Sequence, residues 1–158
     1  MKQDALQLRV IQSLSEIAED DWNALLCPDA GPFLKYAFLS ALEKTECVGA
    51  NTGWQVAHLL VEDSKSRLLG AMPLYLKQHS YGEFVFDWAW AQAYEQNNMS
   101  YYPKALSAIP FTPVRGPRLL VTENADKRSI QEILVKGLKS LVNQNALSSA
   151  HVLFPEMS

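Results

Sequence analysis

The sequence predicts an α/β domain, of the α+β kind, in which a largely antiparallel sheet is flanked by helices. Three observations carry that expectation. Leu6, Leu8 and Val10 alternate with Gln7 and Arg9, the period-2 pattern of a half-buried strand. Two extended apolar runs, residues 54–62 and 68–78, flank the polar turn Asp63-Ser64-Lys65-Ser66-Arg67 and read as a hairpin. Ile130, Ile133, Leu134, Leu138, Leu141 and Val142 share one face of a helix over about residues 129–145. With 158 residues, 48% of them apolar and 20% charged, the chain suits one domain that buries a core without disulfides or metal.

The remaining elements follow in chain order. Ser13, with Glu16 three residues on, makes a capping box, and Glu19, Asp20 and Asp21 favour the positive helix end. Ile17, Trp22, Leu25 and Leu26 supply that first helix's buried face, and Pro28 stops it. Gly31-Pro32 opens a second helix over residues 35–47, with Phe38, Leu39 and Leu42 at helical spacing and Gly49 as its left-handed cap. After the hairpin, Gly82 turns the chain, and Phe84-Val85-Phe86 reads as a third antiparallel strand. Asp87 fits an N-cap for a short helix over residues 88–97, in which Trp90 and Tyr94 stack at i, i+4. The alternation Phe84, Phe86, Trp88, Trp90 suits one long strand equally well. Pro103, Pro110, Pro113 and Pro117 make residues 98–118 irregular or edge-like. Leu119-Leu120-Val121 is a short strand, Ser129 and Glu132 box the last helix, and His151-Val152-Leu153-Phe154 is a final strand.

Composition excludes several function classes. Fourteen basic and seventeen acidic side chains leave a net charge of −3, which argues against bulk electrostatic binding to DNA or anionic lipid. Cys27 and Cys47 read as reduced, mostly buried thiols, and the location expected is cytoplasmic. The start of the chain has no signal-peptide pattern, and no run of 18 apolar residues predicts membrane insertion. The phosphate loop, the dinucleotide fingerprint, the zinc-protease motif and the nucleophile elbow are all absent. His58, His79 and His151 are too scattered to predict a metal site. His79-Ser80 has the residue types of a base and a nucleophile, but chain neighbours rarely face each other, and a polar turn is the plainer reading.

Chemistry concentrates between residues 81 and 111. Nine of the sixteen aromatics lie there, Tyr81, Trp88, Trp90, Tyr101 and Tyr102 among them. Aromatics with polar tips line clefts that are apolar on one side and wet on the other. Asp87, set among them, is a candidate base; the alternative is that it only caps a helix while Phe84, Phe86 and Trp90 fill core. Tyr101, Tyr102 and Lys104 stand beside a proline turn, at a cleft or on plain surface. A second candidate is Pro113-Val114-Arg115-Gly116-Pro117-Arg118, where two guanidiniums flank a glycine that permits close approach of an anion. Two loop arginines are equally common as solvated surface.

The order strand, two helices, hairpin, further strand, then helix and strand resembles the GNAT acyltransferase topology. The stretch from Leu74 to Trp90 (LYLKQHSYGEFVFDWAW), with Tyr101-Tyr102-Pro103-Lys104 and the run PFTPVRGPRLL from Pro110 to Leu120, looks like the bacterial FemAB-like family of peptidoglycan biosynthesis or recognition proteins. Arg115-Gly116-Pro117 is similar to a turn of the Fem aminoacyltransferases. The resemblance implies that residues 1–158 form an N-terminal GNAT-like domain of a longer protein, with a second GNAT-like domain absent from this chain. It implies an acyl- or aminoacyltransferase in which an amine attacks an activated carbonyl, with acyl-CoA or aminoacyl-tRNA as donor in the full-length protein and no cofactor in this part. Asp87 would be the base or the carboxylate that orients the acceptor. Tyr81, Trp88, Trp90, Tyr101, Tyr102, Lys104, Arg115 and Gly116 would line the site of a small amine or muropeptide. In a GNAT the CoA pyrophosphate sits on a glycine-rich turn at a helix N-terminus; the corresponding turn, residues 122–128, has no glycine and two acids, Glu123 and Asp126. The alternative is a non-catalytic recognition module on a degenerate GNAT fold. Phe154 and its neighbours are expected to leave apolar surface that binds the other half of the protein or a second copy.

Overall fold

The computed structural model describes residues 5–84 and 86–156. Strand β1 (Gln7–Ile11) leads into the predicted capping box, which closes a single 3₁₀ turn at Leu14–Glu16 instead of a full helix. Glu43 explains the difference, because its carboxylate takes the Ser13 hydroxyl at 2.7 Å and the Leu14 N–H at 3.1 Å. Ile17 then turns extended, and α1 (Glu19–Asn23) is a separate short helix whose Trp22 is fully buried. Helix α2 (Tyr36–Lys44) follows a 3₁₀ turn at Pro32–Leu34. The left-handed residue that directly follows the helix end is Glu46 (φ 57°); Gly49, also at positive φ (141°), lies further along and is bridged to Trp54. Both cysteines are exposed and free, contrary to the expectation of burial.

The predicted hairpin exists, but each arm is broken in the middle. Its arms are β2 (Trp54–Val56) with β3 (His58–Glu62), and β4 (Leu68–Met72) with β5 (Tyr75–Lys77). Pro73 has no N–H to give a ladder, so the ribbon changes sheets there. At the break Ala57 N–H reaches Leu74 O at 2.9 Å, and His58 Nδ1 accepts the Leu74 N–H at 3.0 Å. Asp63 closes the turn by accepting the Lys65 and Arg67 N–H groups at 2.8 and 2.9 Å.

Each half of the ribbon belongs to its own four-stranded sheet. The first sheet runs β1-β3-β4-β7, all antiparallel, with β7 at Leu120–Val121. The second runs β2-β5-β6-β8, where β6 (Lys104–Ser107) is antiparallel to β5 and β8 (Ala150–Val152) is parallel to β6. The third strand of the antiparallel run is therefore β6, inside the stretch expected to be irregular. Phe84 and Phe86 are not in a strand, and Val85 lies outside the described residues. Helix α3 (Trp88–Gln96) matches its prediction. Helix α4 (Lys127–Gln144) links β7 to β8 and packs Ile130, Leu134, Leu138 and Leu141 against Leu59, Val61 and Met72. Asp126 caps it, not Ser129, and Glu132 pairs with Arg128. On the opposite face Ile11, Leu14, Trp22, Leu34 and Leu60 form a second core. No helix among the described residues is long and apolar enough to cross a membrane.

The His58 seam makes stability sensitive to acid. Burial lowers the pKa of this ring from 6.5 to about 4, with the Leu74 carbonyl offsetting only part of the effect. The unfolded chain therefore takes up a proton first, and stability falls as pH drops from 6.5 toward 4. The expected loss from this residue is about 3 kcal/mol. Urea midpoints at neutral and mildly acidic pH check it: His58→Gln, which keeps an acceptor for Leu74, should lose less stability on acidification than the wild type. Equal losses would contradict the assignment.

Candidate functional site

Lys77 and Lys104 are direct partners across β5 and β6, so their side chains emerge side by side on one face of the sheet. Both are fully buried. Two adjacent buried ammonium groups require opposite charge, and the 80–87 loop brings it. Lys104 Nζ donates to Glu83 Oε2 at 2.8 Å and to Asp87 Oδ2. Lys77 Nζ donates to Tyr81 O at 3.1 Å, lies 3.8 Å above the centre of the Trp54 ring, and stands 4.0 Å from Glu83 Oε1. Burial pulls the Lys77 ammonium down to about 8, an effect that the Glu83 charge only partly offsets. Burial likewise pushes Glu83 up, against the bond from Lys104. Glu83 Oε1 has no hydrogen-bond partner among the described residues.

Asp87 is the hinge of this network. Its backbone carbonyl receives Trp90 and Ala91 N–H, each at 3.0 Å, but its side chain makes no cap. The carboxylate instead accepts from Ser80, Tyr101 and Lys104, with the Tyr102 hydroxyl at 3.5 Å. Burial alone would raise its pKa; the bonds from Lys104, Ser80 and Tyr101 and the Lys104 charge outweigh that and hold it at about 2. Tyr101 is pushed well up, by burial first and then by Asp87. Helix α3 has no buried residue; it is tied down by Asp87 at its N-terminus and by the Tyr94 ring, which meets Tyr101 edge-on at 5.1 Å.

Two clefts open beside α3. The larger, about 420 Å³, has aromatic walls from Phe86, Trp90, Tyr94 and Tyr101, and its polar groups are Glu83, Asp87, Ser149 and His151. The smaller, about 290 Å³, is lined by His79, Ser80, Tyr81, Trp88 and Tyr102. Trp90 is 66% exposed and Trp88 55%, so neither fills core, and Phe84 and Phe86 are exposed as well. The sequence-predicted residues thus divide: Trp90 and Tyr101 face one cleft with Asp87, Tyr81, Trp88 and Tyr102 face the other, and Lys104 lies beneath. Lys77, Glu83 and Ser149 were not singled out from sequence, and His151 was weighed there only as a metal ligand.

The arginine turn does not join either cleft. Arg118 is buried and donates to the carbonyls of Leu153, Gly116, Pro117 and Val114 at 2.9–3.2 Å, so it clamps its own loop. Gly116 N–H is taken by Phe154 O at 3.2 Å, and Arg115 is exposed. His79 and Ser80 make no bond to each other; His79 Nδ1 accepts the Tyr81 N–H at 3.2 Å. No cluster able to hold a metal occurs among the described residues.

At the start of α4 the Asp126 carboxylate accepts from Ser129 Oγ at 2.6 Å and from Ser129 N–H at 3.5 Å, occupying the end where an anion would otherwise dock. A family model for FemAB-like proteins, described as peptidoglycan biosynthesis/recognition, matches residues 13–158. The chain belongs to the FemAB-like family. Its fold is GNAT-like. It is similar, at 11% identity and a TM-score of 0.53, to the solved structure of aminoglycoside N-acetyltransferase AAC(6')-Iy in complex with CoA, covering 99% of this chain and 80% of that one. No curated protein sequence matches it.

In this FemAB-like chain the turn that the GNAT resemblance assigns to phosphate is occupied by the Asp126 carboxylate, so the chain is expected not to bind acetyl-CoA. Calorimetry with acetyl-CoA should give no dissociation constant tighter than about 10 μM, about −7 kcal/mol. A tighter constant would show that Asp126 does not block the helix end.

Proposed function

We propose that the larger cleft is the amine-acceptor site of an acyl- or aminoacyltransferase. The observation that carries this reading is the Asp87 carboxylate, ionised and fixed by three donors beside four aromatic walls. Aromatic faces and carboxylates together attract an alkylammonium group, through cation–π and charge–charge terms. A carboxylate held near 2 is a weak proton acceptor at neutral pH, so of the two roles open to Asp87 the orienting one fits better. Tyr101 and Trp90 would flank the bound amine, and Lys104 would hold Asp87 in place from below. Tyr81, Trp88 and Tyr102 would then contact the rest of the acceptor through the neighbouring cleft.

The acceptor in this reading is a small amine or an amine-bearing muropeptide, in keeping with the family's description. The activated donor, an acyl-CoA or aminoacyl-tRNA, binds elsewhere, and the second GNAT-like domain expected of Fem-type proteins is the natural place. The exposed free thiols of Cys27 and Cys47 accord with a cytoplasmic setting. One observation favours the alternative of a recognition module without transfer: the α4 N-terminus is closed by Asp126 and so offers no place for a donor phosphate there.

The probe is 1,5-diaminopentane, followed by the fluorescence of the exposed tryptophans. Saturable quenching is expected, and Asp87→Asn should weaken the affinity about tenfold, since one charged partner is lost while shape is kept. Absence of saturable binding by the wild type, or equal affinity in the variant with an intact fold by circular dichroism, would overturn the reading.

A further inference from the structure

An amine that enters as an ammonium must lose a proton before its nitrogen can attack, and Asp87 is poorly suited to take it. The second sheet offers another group. Ser149 and His151 flank Ala150 at the start of β8, so strand alternation turns both to one face. Both line the larger cleft. Ser149 Oγ stands 2.8 Å from His151 Nε2. The imidazole meets the Tyr101 ring edge-on, 6.0 Å between centres, and the hydroxyl of that same Tyr101 donates to Asp87. The cleft therefore holds a carboxylate and an imidazole that both contact Tyr101.

We propose that His151, working through Ser149, is the proton acceptor of this cleft. The assignment rests on the reading of the cleft as an amine site. The ammonium gives a proton to Ser149 Oγ as the serine's own proton passes to His151 Nε2. The freed nitrogen lone pair then adds to the acyl carbon of an activated ester or thioester donor, forming the C–N bond. The bond from that carbon to the leaving oxygen or sulfur breaks with its electron pair. The second N–H proton goes to the leaving group, and the imidazolium returns its proton to solvent. Ser149 is a relay here and not an acyl-carrying nucleophile, because no group among the described residues hydrogen-bonds His151 Nδ1 to orient the ring as a nucleophile's base requires.

The electrostatics agree. Burial and the neighbouring Lys104 charge lower the His151 pKa, and Asp87 offsets them in part, so the ring is neutral and receptive at pH 7. The charged groups facing it are Lys104 on β6, Asp87 at the head of α3, and Glu83 across the cleft. Helix α4, also packed on β8, contributes no charge that acts on the ring.

Nuclear magnetic resonance of the imidazole nitrogens in the full chain tests the assignment, titrated with and without 1,5-diaminopentane. The expected result is a His151 pKa that falls by about half a unit or more when the amine is bound, because a cation now sits beside it. Amine affinity of the wild type should also weaken about threefold or more as pH drops through the His151 titration, and His151→Gln should lose that weakening. If the amine binds but neither the His151 titration nor the pH dependence responds, the proton acceptor is not His151 and the amine site stands. If the amine does not bind at all, the amine site falls and this assignment with it. The titration on the wild type needs no variant, so a poorly folded His151→Gln would not obscure the outcome.

Discussion

Lys104 is wholly buried at the first residue of β6, with Lys77 beside it on β5, and both positions would be untenable without the carboxylates of Glu83 and Asp87. Removing one partner from such a group strands a charge, which costs about 3–5 kcal/mol, whereas replacing the whole set by apolar residues is often harmless. The network is thus a poor source of net stability. What it supplies is position. Glu83 and Asp87 are drawn onto the sheet, the 80–87 loop follows, and α3 hangs from its own N-terminal aspartate over two clefts.

The same constraint explains why so many aromatics are left in water. A helix held by a polar anchor at its start and one aromatic contact, Tyr94 on Tyr101, needs no apolar face against the sheet, and α3 buries no residue. Trp88 and Trp90 point instead toward the two openings, and Tyr101 and Tyr102, neighbours in the chain, serve opposite sides of Asp87. The break in the long hairpin contributes as well. Because Pro73 ends one ladder and His58 bridges the gap, β5 leaves the first sheet and presents Lys77 to β6.

Much of this was legible in the sequence where the signal is local. The polar turn at 63–67, the stripe of α4 and the density of aromatics around Asp87 each depend on neighbours along the chain, and each appears in the fold. Phe84 and Phe86 misled because alternation implies a strand only when one face is covered, and here neither is paired. Strand β6 was hidden because prolines flank it and a lysine opens it, and a lone lysine normally marks surface. Lys77 and Glu83 become partners of Lys104 only through strand pairing and loop closure, which no window of sequence contains. Ser149 and His151 did leave a trace, a serine two residues before a histidine at the start of a predicted strand, which places both on one face.

The central claim is that Asp87 and Lys104 act as one buried unit. A double-mutant cycle measures this directly, from urea unfolding of the wild type, Asp87→Asn, Lys104→Met and the double variant. Lys104→Met alone should be the most damaging single change, because it leaves Glu83 and Asp87 facing each other in a buried site. The double variant should be more stable than the sum of the singles predicts, by about 1–3 kcal/mol. Losses that add to within about 0.5 kcal/mol would mean the two residues do not interact, and the site would lose the anchor assigned to it.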